Sequence, residues 1–486
     1  EATFVNAQGL IQSTNEIGAE LVTNGDFATD SDWVKGTGWT ISGGTANALS
    51  AGSAVSITQN GVVESGKTYK ITYTVSNYVE GGIYFRAGSG ANGNIRQENG
   101  TFTEIVTQSG NTTFYLTCYT GSTTLSIDNV SVKEYITATN TPRLDYSTGS
   151  EAFLLEPQST NLITYSEDFS DSSWVKQASS VTSGFVSPNG TANAFKLTEN
   201  TAFGSHYTQD QGISVTNSVN NSFSAFVKKG ERSWVLLDND NMSNVGAYFD
   251  IETGVVGTRL TSNIDAIITD IGSGWFKCTI VYLNTSTNSW CNIRICDADN
   301  SKNYQGDGTS GLYIFGAQLE QQSYATSYIP TSGASATRNQ ELCNNATPVI
   351  NSEEGTLYAE ISALADDLTI RAISLSDGSN SNYIRIEYSN TSNRLIFSTS
   401  VATFMQTFAY DITDSLKLAF KYKENDFAMW VNGVEVLTDT SGGVPSNLSK
   451  LSFNRSDSGS PFYGNTKGLK YYPKALADVQ LQDLTT

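Results

Sequence analysis

The chain has 486 residues, room for about three domains of ordinary size, each with its own core, and too many for a single core. Only 16% of residues are charged, while Gly (42), Tyr (24) and Phe (22) are plentiful, which suits pleated strands and tight turns and leaves few helix formers. A formal charge of -20 argues against nucleic acid, which demands a basic footprint, and against anionic membranes; no apolar run reaches the about 18 residues of a membrane span, so no membrane insertion is expected.

Along the chain, apolar and polar residues alternate with a period of two. Tyr69-Lys70-Ile71-Thr72-Tyr73-Thr74-Val75, Ile384-Arg385-Ile386-Glu387-Tyr388 and Leu416-Lys417-Leu418-Ala419-Phe420-Lys421-Tyr422 have the pattern of half-buried strands. Asn-Gly pairs at Asn60-Gly61, Asn92-Gly93, Asn99-Gly100 and Asn432-Gly433 tolerate the positive φ that hairpin turns require. The expected fold class is all-β, made of consecutive antiparallel β-sandwiches. One helix is expected over 474–481, after Pro473. Because the chain opens at Glu1 with neither a methionine nor a signal peptide, it is expected to be a processed or truncated product.

A long-period repeat is visible. Asp26-Phe27, Trp33-Val34-Lys35 and Thr45-Ala46-Asn47-Ala48-Leu49 recur as Asp168-Phe169, Trp174-Val175-Lys176 and Thr191-Ala192-Asn193-Ala194-Phe195. A period above 100 residues means duplication of a whole domain.

The first copy, 18–137, runs from Glu20-Leu21-Val22-Thr23-Asn24-Gly25-Asp26-Phe27 to Ile127-Asp128-Asn129-Val130-Ser131-Val132 and resembles the jelly-roll carbohydrate-binding modules attached to polysaccharide-degrading enzymes. A second set of motifs comprises Leu154-Leu155-Glu156-Pro157-Gln158-Ser159-Thr160-Asn161-Leu162-Ile163, Gly316-Ala317-Gln318-Leu319-Glu320, Ala325-Thr326-Ser327-Tyr328-Ile329-Pro330-Thr331 and Thr337-Arg338. These resemble tailed-bacteriophage virion structural proteins, tail-fibre-like proteins among them. In such proteins a segment like 2–11 sits just before one like 142–146. Here about 120 residues part them, so the first module is expected to be inserted in the leading hairpin of the second. From about 345 the chain resembles a laminin-G or concanavalin A-like lectin sandwich, through Gly355-Thr356-Leu357-Tyr358-Ala359, Trp430-Val431-Asn432-Gly433-Val434 and Tyr472-Pro473-Lys474-Ala475-Leu476-Ala477-Asp478. The expected domains are therefore 1–17 belonging with 138–165, the inserted jelly roll 18–137, a second jelly roll 138–344 and the lectin-like domain 345–486.

Sugars are held by aromatic faces and planar polar side chains on a concave surface. Strand phase turns Tyr84, Arg86, Tyr115 and Tyr119, with Thr117, away from the core of the first module, and Trp290, Asn292 and Arg294 away from that of the second. These are the candidate carbohydrate-binding residues; the bland alternative is ordinary cross-strand pairing or subunit contact. Trp430, beside a hairpin turn, is expected in the core. Asp297, Asp299 and Asp307 are the candidate ligands of a structural calcium, in a run without the full EF-hand pattern whose default is a solvated acidic loop.

Nothing points to catalysis. The sole histidine, His206, has no serine elbow near it, and no two of the 48 acidic residues stand out as a glycosidase pair. Of five cysteines none forms a CxxC or zinc spacing, and Cys278 has the phase of a core residue, although one disulfide stays open. The expected function is non-enzymatic: a virion-surface or extracellular protein, tail fibre or capsid decoration, that attaches to host or environmental polysaccharide. Its partners would be cell-surface glycan and other virion proteins, and it would assemble as a homo-oligomer, a trimer as in many fibres. Two alternatives stay open: a purely structural virion component with its sandwich faces buried between subunits, and the targeting portion of a secreted polysaccharide lyase or glycoside hydrolase.

Overall fold

A computed structural model describes residues 2–14, 16–136, 143–147, 149–344, 346–401, 403–407, 410–456 and 459–486. The expected domain limits at 137/138 and 345 lie outside the described residues. All paired strands run antiparallel, and the all-β fold class holds. The chain divides into two units, Thr14–Thr141 on one side and Glu1–Ser13 with Pro142–Thr486 on the other.

The Thr14–Thr141 unit is a two-sheet sandwich. One sheet orders its strands Gly100–Thr107, Thr68–Glu80, Thr123–Ile136, Thr45–Ala51 and Trp39–Ser42, with Glu16–Glu20 also paired to Thr123–Ile136. The other orders Ala91–Asn92, Ile83–Ala87, Phe114–Cys118, Ser56–Gln59 and Val34–Lys35. Alternation supplies the core: Tyr69, Ile71, Tyr73 and Val75 pack with Phe85, Phe114 and Leu116 of the opposite sheet. Glu16–Glu20, whose first two residues were expected with the leading strand, therefore belongs to this unit.

The larger unit holds two more sandwiches. In the first, Trp174–Gln177, His206–Ser214, Asn288–Cys296, Trp234–Asn239, Gly246–Asp250 and Val255–Arg259 form one sheet. Ser179–Phe185, Ala194–Glu199, Gly311–Glu320, Asn220–Lys229, Trp275–Leu283 and Ile264–Gly272 form the other. Cys278 and Cys291 are core residues between them, and all five cysteines are free.

The repeat noted in sequence is a repeated piece of construction. Trp33 donates its indole N–H to the Asn24 carbonyl at 3.0 Å, and Trp174 donates to the Tyr165 carbonyl at 2.8 Å, each nine residues upstream. The tryptophan rings lie 5.2 Å from Phe27 and 4.8 Å from Phe169, tilted 43° and 46°. Such pairs add about 0.5–1.5 kcal/mol beyond burial.

The last sandwich corrects one expectation. Its seven-stranded sheet runs Arg143–Asp145, Ala152–Leu155, Gly464–Tyr472, Glu354–Ala363, Leu416–Lys423, Phe427–Val431, Val434–Asp439. The leading hairpin 143–155, expected with the second jelly roll, thus extends the C-terminal sandwich, because Phe153, Leu154 and Leu155 pair with Thr466, Asn465 and Gly464. The hairpin Thr3–Val5/Ile11–Ser13 does lie beside it, with Val5 N–H donating to Asp145 Oδ2 at 2.8 Å and Tyr146 N–H to the Val5 carbonyl at 2.9 Å. The expected Asn432-Gly433 turn forms with φ of 48° and 80°. The helix covers Asp478–Thr485, later than expected. Thr356 holds the preceding stretch extended, its Oγ1 donating to the Lys474 carbonyl at 3.1 Å and accepting from Leu476 N–H at 3.1 Å.

The motifs at 154–163, 316–320, 325–331 and 337–338 form one buried polar knot. Glu156 accepts from Arg143 Nη2 at 2.7 Å and from the backbone and hydroxyl of Ser327 at 2.7 and 2.6 Å, and pairs with Arg338 at 2.9 Å. Glu341 also pairs with Arg143. Asn161 donates to the carbonyls of Ala317 (3.1 Å) and Ile329 (2.9 Å) and accepts from Leu319 N–H at 3.1 Å. Ser159 donates to Glu320 at 2.6 Å. Despite full burial, Arg338 and Arg143 hold the Glu156 carboxyl at about 2, below its usual value.

Candidate functional site

In the Thr14–Thr141 unit the strands Ile83–Ala87 and Phe114–Cys118 are hydrogen-bonded neighbours, in a register that sets Tyr115 opposite Arg86 and Thr117 opposite Tyr84. Ile83, Phe85, Phe114 and Leu116 fill the core, so Tyr84, Arg86 and Tyr115 take the other face, where each is half-buried, and Tyr119 is 47% exposed. The Arg86 guanidinium carbon sits 4.4 Å from the centroid of the Tyr115 ring, and the Tyr84 and Tyr119 rings meet edge to face at 6.5 Å and 82°. Thr117, expected outward with them, is fully buried, its hydroxyl 2.9 Å from that of Ser56. Asn111, which sequence reasoning passed over, donates to the Tyr115 hydroxyl at 2.9 Å and fixes the ring. The face thus offers two tyrosine rings set edge to face and a guanidinium over a third. Apolar C–H surfaces can stack on the rings while hydroxyls bond to the polar tips.

The corresponding face of the second module is closed. Asn292 and Arg294 have the predicted phase, but both are buried; Trp290 alone of the three is half-exposed. Arg294 donates from Nε to both Asp238 oxygens at 2.9 Å and from Nη1 to Ser205 at 3.0 Å, pairs with Asp240 at 2.5 Å, and lies 4.0 Å from the Tyr207 ring centroid. Its charge is paired within the protein, with Asp238 and Asp240. Leu236, Tyr248 and Cys296 form a small apolar cluster on this side with Trp234 and Leu260 packed against it. The expected open platform is therefore a salt-bridged, covered layer.

The acidic run does not converge on a cation. Asp299 accepts from Thr258 N–H at 2.8 Å and its hydroxyl at 2.9 Å. Asp307 is spent on Thr309 and Ser310, whose backbone N–H groups donate at 2.8 and 2.7 Å. Those bonds draw its carboxyl well below the usual range. Asp297 is exposed, and no group of three His, Cys, Asp or Glu suited to a metal occurs among the described residues. These aspartates clasp loops.

Trp430 packs with Ala419, Ala428 and Leu481 of the C-terminal helix, in the core as expected. His206 is fully buried, its Nδ1 2.7 Å from the Ala178 carbonyl and its ring 4.9 Å from Tyr304. Asp210 had no signal in sequence. It shares a core-facing register with Cys291 and Trp174, and burial, with Asp171 adding to it, lifts its carboxyl to about 7. Among the described residues no helix is long and apolar enough to cross a membrane.

No protein-family model matches the chain, and no curated protein matches it. Similar solved structures include the Ruminococcus gnavus IT-sialidase CBM40, 13% identical, covering 30% of this chain and 98% of that one at a TM-score of 0.25. The N-terminal CBM22-1-CBM22-2 tandem of Paenibacillus barcinonensis Xyn10C is 11% identical, covering 64% and 100% at 0.23. Mouse laminin alpha1 domains LG4-5 are 9% identical, covering 57% and 90% at 0.21.

Proposed function

We propose that this is a non-enzymatic glycan-binding protein that engages polysaccharide or cell-surface glycan through the Tyr84, Arg86, Tyr115 and Tyr119 face. The observation that carries the reading is the convergence of these four side chains on two adjacent strands, half-exposed, with Arg86 stacked on Tyr115. Its setting, on this proposal, is a virion surface, as tail fibre or capsid decoration in a homo-oligomer such as a trimer. The sequence resemblance of 154–163 and 316–331 to phage virion proteins supports that setting. Repeated copies would make weak single sites useful by raising effective concentration.

A glycan array probed with the intact chain and with a Tyr84→Ala/Tyr119→Ala variant tests the site. Binding by the former and its loss in the latter are expected. An array with no binding by the intact assembly, or binding indifferent to both substitutions, would overturn it.

A further inference from the structure

A cavity of about 290 Å³ lies within the larger unit, and none of its lining residues belongs to the unit that carries the tyrosine face. Its lining includes apolar Phe4, Ile11 and Phe226 and the polar groups of Lys277, Asn465, Asp145 and Glu156. Among the described residues the Lys277 ammonium makes one hydrogen bond, to the Thr326 carbonyl at 2.7 Å, and no ion pair, leaving two of its three protons without an acceptor. Asn465 is 8% exposed, and its side-chain oxygen has no donor. Burial lowers the affinity of Lys277 for its proton, against the pull of Glu320, Glu156 and Asp145. Unspent donors and an unspent acceptor lining the same cavity as apolar rings are the complement of a molecule that is hydroxylated at its rim and C–H-rich on its face. The volume lies at the low end of the about 300–1,000 Å³ usual for ligand pockets, which suits one ring and not an oligosaccharide.

We propose that this cavity is a second carbohydrate site, taking a single pyranose with its C–H face on Phe4 and Phe226 and its hydroxyls bridging Lys277 Nζ and Asn465 Oδ1. The site shares no residue with the tyrosine face, so either can fail alone.

Saturation-transfer NMR with D-glucose, N-acetyl-D-glucosamine and D-glucuronate tests it on the full chain carrying Tyr84→Ala and Tyr119→Ala, which silences the other face. Transfer to at least one sugar is expected, with affinity falling about tenfold or more on adding Lys277→Met or Asn465→Leu. Absence of transfer to all three sugars, or transfer surviving both substitutions, would overturn the proposal. If a substitution unfolds the chain, a crystal of the unsubstituted protein soaked in the same sugars decides. Ring density between Phe226 and Lys277 supports the site, and ordered water alone refutes it.

Discussion

Arg86 lies over Tyr115, its guanidinium carbon 4.4 Å from the ring centroid, directly across the strand pair. Stacking of this kind contributes about 0.5–1 kcal/mol at exposed sites and fixes the guanidinium plane. Arg86→Lys keeps the charge and loses the planar fork, so glycan affinity should fall several-fold in affinity electrophoresis while the melting temperature moves little.

Asp210 gives the chain an alkaline weakness. Its folded value of about 7 exceeds the ordinary aspartate value of 3.8, so its stabilising contribution is complete below pH 3.8 and is lost as pH rises through 7. Asp210→Asn should therefore unfold at higher urea than the parent at pH 8, by on the order of 4 kcal/mol, and match it closely at pH 4.

Glu156 works in the opposite sense. Its carboxyl, at about 2 against an ordinary glutamate value of 4.5, stabilises above pH 4.5, and that contribution disappears as pH falls through 2. Glu156→Gln leaves Arg338 and part of Arg143 without a counter-charge and should cost about 3–5 kcal/mol at pH 7, read by denaturant unfolding.

Gly316 sits at φ 60° in the bulged strand Gly311–Glu320, where an added Cβ would lie 2.8 Å from Phe226 and 3.1 Å from Tyr328. Gly316→Ala should destabilise by about 1 kcal/mol from the backbone alone, and by more from the contact, in the same unfolding assay.

Strand positions were legible because alternation is a local property: Tyr69, Ile71, Tyr73 and Val75 announced their burial. So was the platform, since strand phase fixes which face Tyr84 and Tyr115 take. Phase does not report what covers a face, and so Asn292 and Arg294 were placed on the correct side and wrongly taken as open. Arg294 is closed off by Asp238, Asp240 and Ser205, residues 54 to 89 positions away, a relation with no local signature. The pairing of Leu154 with Asn465 is likewise distant, which is why the leading hairpin was assigned to its sequence neighbour. Glu156, Asn161 and Glu320 were seen as a family signature, whereas their polarity hid that they are interior.

The clamp at the start of the larger unit is self-contained. Thr3 pairs with Ser13, and its carbonyl accepts from Arg143 at 2.7 Å, so the chain departs and returns at points stitched to the same residue. Thr3, Ser13, Arg143 and Glu156 all belong to the larger unit, so replacing the Thr14–Thr141 unit would remove none of the partners of this clamp.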